Sequence, residues 1–200
     1  MRKETSGTEI SIAAMTNDTA LDTSIAEPSL TAGEVEMLLF ALERSRAQFA
    51  WKVGGLDAEA LNRPHPPSTM TLAGIIKHLA FVDDWTAVRL AAHEMPAPWR
   101  SVDWDADPEY PWHSAADDSP EELYRLWGEA AARCRAAVDE VIADGGLDRP
   151  VQFFFDPSWV PSARRVLVDL HDEYARHVGH ADLFREAVDG LVGEDPPQGK

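Results

Sequence analysis

The chain has 200 residues, a formal net charge of −17 at pH 7 and 44% hydrophobic residues. That length suits one domain with terminal extensions, and the acidity excludes a binder of phosphate backbones, which must neutralise phosphates with Lys and Arg. A single cysteine, Cys134, excludes an internal disulfide and suits a reducing cytoplasm, while no apolar run or secretory pattern points to a membrane or to export.

Residues 1–30 are rich in Thr, Ser and Ala without a sustained period, and read as a flexible extension. Thr31-Ala32-Gly33-Glu34 has the form of a capping box. Behind it Val35, Leu38, Leu39, Leu42, Phe49 and Val53 keep helical spacing up to Gly54-Gly55. A Pro-rich connector, Arg63 to Pro67, leads to Ser68 or Thr69 as the cap of a second helix. That helix carries Leu72, Ile75, Ile76, Leu79, Val82 and Trp85, and fades near His93. A stretch of about 25 residues follows, with Trp99, Trp104 and Trp112 among Asp103, Asp105 and Asp107, a length typical of lids and binding loops.

Ser119-Pro120-Glu121-Glu122 combines a capping box with proline at the first helical position. The third helix continues through Leu123, Leu126, Trp127, Ala130, Cys134, Val138 and Val141 to Gly145-Gly146, with Cys134 as a small core residue. A second connector, Asp148 to Pro161, contains Phe153–Phe155 and Trp159 and supports a short extended segment at most. The fourth helix begins after Ser162 and runs to Gly190, with residues 192–200 as a flexible tail. The expected fold is all-α, a four-helix bundle over residues 31–191 with a long Trp/Pro-rich connector between helices two and three.

The fourth helix breaks its own pattern. Val166, Leu170, Ala181, Phe184, Val188 and Leu191 form an apolar stripe, and between Leu170 and Ala181 that stripe passes through Glu173 and His177. An unpartnered carboxylate on a core face costs several kcal/mol (order of magnitude), and a metal ion satisfies a carboxylate and an imidazole together. On the second helix, His78 shares a face with Ile75, Val82 and Trp85, which makes it the third ligand of a site that needs three. Blander readings stand beside this one: His78 as a core histidine with one hydrogen bond, and Glu173 in an ion pair with an arginine such as Arg176. His180, three residues beyond His177, could replace it as ligand or orient it. His65, His93 and His113 fall in connectors or at helix ends and are expected at the surface. Gly179 is expected where a neighbour or ligand comes close.

Two segments resemble the DinB-like superfamily of four-helix bundles: Leu72 to Trp85, with His78 and Trp85, and Glu173 to Gly190, with His177, His180 and Asp182. Glutamate at position 173 is similar to the branch containing mycothiol-dependent maleylpyruvate isomerase and related thiol S-transferases. The resemblance implies that His78, Glu173 and His177 hold a divalent metal, zinc first and nickel or manganese as alternatives, with a low-molecular-weight thiol as cosubstrate. It also implies a small-molecule electrophile as the other substrate, a cytoplasmic setting, and no nucleic-acid or membrane partner; a homodimer is compatible with it. Asp84, Asp182 and His180 are then candidates for orienting ligands or moving protons, and Arg185 for meeting a carboxylate of thiol or substrate. The leading expectation is a thiol S-transferase or thiol-dependent isomerase. Metal-assisted hydrolysis, with water in place of thiol, and a non-catalytic metal-binding bundle that holds a small ligand or partner are the alternatives.

Overall fold

The computed structural model describes residues 21–151 and 158–198. Among them are α1 (Glu34–Val53), α2 (Ala58–Leu61), α3 (Leu72–Ala91), α4 (Tyr110–His113), α5 (Pro120–Ala143) and α6 (Ala163–Asp189). The four long helices form the expected bundle: α3 packs most extensively on α5, α1 on α6, and α3 also meets α6. No strand forms among the described residues. Pro150 and Ser162 make one isolated antiparallel bridge at the base of the second connector, and Phe153–Phe155 lie outside the described residues.

Helix ends follow their caps. Ser119 Oγ accepts from the Glu122 N–H while the Glu122 carboxylate accepts from the Ser119 N–H, a complete capping box that starts α5. Ser162 accepts from Arg165 N–H to start α6, and Gly190 ends it at φ +81°, a conformation that glycine adopts without Cβ strain. Two caps differ from expectation. The N-cap of α1 is Gly33, with no side-chain bond, because Thr31 lies two residues upstream and its hydroxyl meets Ser29 Oγ instead. The cap of α3 is Thr71, which accepts from Gly74 N–H at 3.0 Å, while Ser68 Oγ is used by Met70 N–H in the preceding turn.

The core contains Phe49, Leu61, Leu72, Ile75, Ile76, Leu79, Leu123, Leu167 and Leu170, all essentially inaccessible. Phe49 lies edge-on to Trp127 at 5.2 Å and to Tyr174 at 6.5 Å, joining α1, α5 and α6. A polar network threads this apolar centre. Arg46 on α1 is buried against Asp83 on α3, which accepts a second hydrogen bond from Tyr174 OH on α6; Trp127 Nε1–H on α5 donates to the same hydroxyl at 2.7 Å. One residue on, Asp84 is also fully buried and accepts from Arg133 on α5 at 2.7 Å and from Trp99 Nε1–H at 2.7 Å. All four long helices are thus tied at one level by paired polar groups, as burial of charge requires.

Described residues on either side of the bundle make definite contacts. Gln198 bonds to the backbone of Thr23 and Ile25, and Asp195 accepts from Arg44 and Gln48. The buried ammonium of Lys52 donates to Gly193 O at 2.7 Å and pairs with Asp182 at 2.9 Å. Deleting residues 192–200 removes the Gly193 carbonyl from that ammonium. The expected cost is about 1–3 kcal/mol, read from the denaturant midpoint; an unchanged midpoint would show the segment to be dispensable.

Candidate metal centre

The site grows from two helix faces. On α6, Glu173 and His177 are four residues apart and so lie one above the other. On α3, His78 follows the buried run Ile75-Ile76-Lys77, and the packing of α3 on α6 turns its ring toward them. His78 Nε2 and His177 Nε2 each lie 3.5 Å from the same oxygen, Glu173 Oε2, and one donor atom from each of the three residues falls within 4.8 Å of the others. His177 is buried, whereas the Glu173 side chain is 39% exposed, so the cluster opens to solvent on the carboxylate side.

The two 3.5 Å separations are compatible with an ion pair and with a shared metal ion. A hydrogen bond at 3.5 Å is at the edge of usefulness. Ligands bonded to zinc at about 2.0–2.2 Å stand about 3.4 Å apart along a tetrahedral edge. His177 Nδ1 is 3.3 Å from His180 Nδ1. With His177 donating there, its Nε2 lone pair faces the carboxylate, an arrangement that a cation or a proton between them makes favourable. The contacts of Glu173 with His177 first, and then with His78, hold its carboxyl well below the usual carboxylate range. Burial, with His177 and Arg176 nearby, lowers the pKa of His180. Arg176 itself pairs with Asp172 rather than with Glu173.

The other candidates lie elsewhere. Asp84 bonds to Arg133 on α5 and to Trp99 in the connector. Asp182 faces Lys52. Arg185 donates to the carbonyls of Lys52 and Gly54 at 3.0 and 2.9 Å and pairs with Asp189, closing the C-terminal end of α1. His93 and His113 are exposed as expected, but His65 is half-buried, stacked on Phe184 at 4.1 Å, and burial lowers its pKa. Gly179 is exposed, and a Cβ there would meet nothing within 4 Å, so no close approach explains it. Cys134 is fully buried, and desolvation, with the Asp83 charge second, pushes its thiol far above the usual range. It should resist alkylation at pH 8 on the native protein and react only on unfolding, as a thiol assay with and without denaturant would show.

Sequence periodicity could not reach Trp112. Its indole, carried by α4, stacks on the His78 ring at 4.7 Å and 22° and lies 5.8 Å from His177. The long connector is therefore packed against the bundle at the cluster itself.

The mycothiol-S-transferase family profile matches residues 37–190, which takes in the whole cluster and most of the bundle. The chain belongs to the mycothiol-S-transferase family. The family match agrees with the DinB-like character of the α3 and α6 segments. Among solved structures, the crystal structure of a conserved protein from Enterococcus faecalis superposes with a TM-score of 0.61 at 16% identity, covering 80% of this chain and 99% of that one. That likeness shows the fold. No curated protein matches the chain. No helix among the described residues is long and apolar enough to cross a membrane.

Proposed function

We propose that this member of the family is a metal-dependent S-transferase that joins a low-molecular-weight thiol of the mycothiol type to a small electrophile. The observation that supports this most directly is the convergence of His78, Glu173 and His177 from two helices, on a face left partly open at Glu173. Two imidazoles and one carboxylate, with room for a further ligand, suit a catalytic zinc site; nickel and manganese are the alternatives. An ion held there would supply a positive charge that lowers the pKa of a thiol at its open position. The chain's own residues do the rest. Glu173 keeps its charge across the neutral range, and His180 orients His177 through the Nδ1 contact. The lone pair of His180 Nδ1 is taken up by that contact, so the thiol proton passes to solvent on the side that Glu173 leaves open. In the transfer, the sulfur forms a bond to the electrophilic carbon while the carbon–leaving group bond breaks, and the leaving group departs with the bonding pair. A thiol cosubstrate belongs in a reducing cytoplasm, which the single cysteine also suits.

The test is zinc-loaded protein incubated with mycothiol and a chlorinated bimane, in which thiol displaces chloride to give a fluorescent thioether. Conjugation faster than the uncatalysed rate, lost on chelation and restored by zinc, is expected. Ester hydrolysis that needs the metal but no thiol would instead establish the hydrolase reading. Metal binding without either reaction would establish a binding role.

A further inference from the structure

We propose that Trp112 is a positioning residue of the metal centre, its indole holding the His78 ring in the ligating orientation, and that Gly74 lacks a side chain to admit it. This rests on the assignment of His78, Glu173 and His177 as ligands. Their weakest point is His78, the only donor on α3. Its side chain is 20% exposed, and its ring lies edge-on to the His177 ring at 4.9 Å on one side and stacks on the Trp112 indole at 4.7 Å.

That contact is built. One turn before His78 on α3, a Cβ at Gly74 would stand 2.9 Å from Trp112 Cε3 and 3.4 Å from Cζ3. The indole thus occupies the space that any other residue's side chain would take. The segment carrying Trp112 is fastened to α3 on both sides of the ring. Lys77 Nζ donates to Ser114 O at 3.2 Å, pairs with Asp118 at 2.5 Å, and lies 5.2 Å above the Tyr110 ring. Further back, Trp104 packs on Phe81 at 4.8 Å, and Trp99 is sealed in the core by its bond to Asp84. A connector held at these points presents Trp112 to His78 in one place.

Cobalt, taken as the probe, reads the arrangement in two ways: by affinity in competition with a chelator, and by quenching of indole emission, which is steepest for the nearest ring. Trp112→Phe keeps an aromatic face on His78, so affinity should stay close to wild type while most of the cobalt-dependent quench disappears. Trp112→Ala should lose the quench and bind cobalt about tenfold more weakly, the range expected for removing a partner that orients a ligand. Gly74→Ala should weaken binding similarly by displacing the indole, yet add nothing in the Trp112→Ala background, where the indole is gone and the added methyl meets only Thr71 Oγ1 at 3.3 Å. Circular dichroism and the metal-free melting temperature confirm that each variant is folded, and the Gly74→Ala effect in the alanine background controls for helix propensity. Equal cobalt affinity in wild type and a folded Trp112→Ala, or additive losses in the double variant, would overturn the proposal. If wild-type protein takes up no cobalt or zinc, the ligand assignment itself fails, and this proposal with it.

Discussion

Replacing any one of His78, Glu173 or His177 by alanine should leave purified protein without its metal. The three donors come from only two helices, and two remaining ligands cannot enclose an ion. Affinity should therefore fall by more than the roughly 10–100-fold typical of losing a residue that merely orients a ligand, the range expected for His180→Ala. Metal content by mass spectrometry after dialysis, with zinc titrations against a chelator, checks both. Zinc at about a hundred times its dissociation constant should stabilise wild type by about 2.7 kcal/mol and the ligand variants by nothing, so the melting shift gives an independent reading. Undiminished metal in all three variants would remove the centre from the account. Loss in His180→Ala but not in His177→Ala would move it one turn along α6.

The second large effect is on stability. Asp83→Ala should destabilise the protein by about 3–5 kcal/mol, because it leaves the Arg46 guanidinium at the bundle centre without its buried carboxylate. For a domain of this size that lowers the melting temperature by about 6–20 °C. Glu43, half-exposed on the same helix, stays as a partner at 2.5 Å but does not reach the centre. Tyr174→Phe should cost less, about 1–3 kcal/mol, since it removes a donor from Asp83 and the acceptor of Trp127 Nε1–H without stranding a charge. Arg46→Met combined with Asp83→Leu should recover much of the loss, because a buried ion pair replaced by apolar residues of similar volume is often near neutral. A double variant as unstable as Asp83→Ala would mean that the network is needed for packing and not only for its own charges.

The four long helices were legible because an apolar stripe at helical spacing survives in any sequence whose helix buries one face. Their ends were legible at Ser119 and Ser162, and misread at Thr31 and at Ser68 or Thr69, the latter although Thr71 stands directly before Leu72. There, the geometry of the preceding turn decides which hydroxyl meets a free N–H. His78, Glu173 and His177 stood out as polar residues on apolar stripes, and the structure brings them together. The same signal was present for Arg46, four residues after Leu42 and seven before Val53, but a lone arginine names no partner. Asp83 and Asp84 are adjacent and face opposite networks, which a sequence of two acids does not separate. Trp112 and His65 lie in connectors without a period, so only tertiary contacts place them.

The division of the candidate ligands between α3 and α6 bears on when the cluster can form during synthesis. His78 leaves the ribosome long before Glu173 and His177, at about 5–20 residues per second. During that interval His78 is the one member of the cluster that has been made. Tyr174, which closes the polar network on Asp83, arrives in the same late helix as the two remaining ligands. Assembly of the candidate metal cluster and completion of the core are thus one event, set by the last helix made. A chain that stops before α6 lacks two of the three candidate ligands and the Tyr174 hydroxyl, and it leaves Asp83 with Arg46 alone of its two partners.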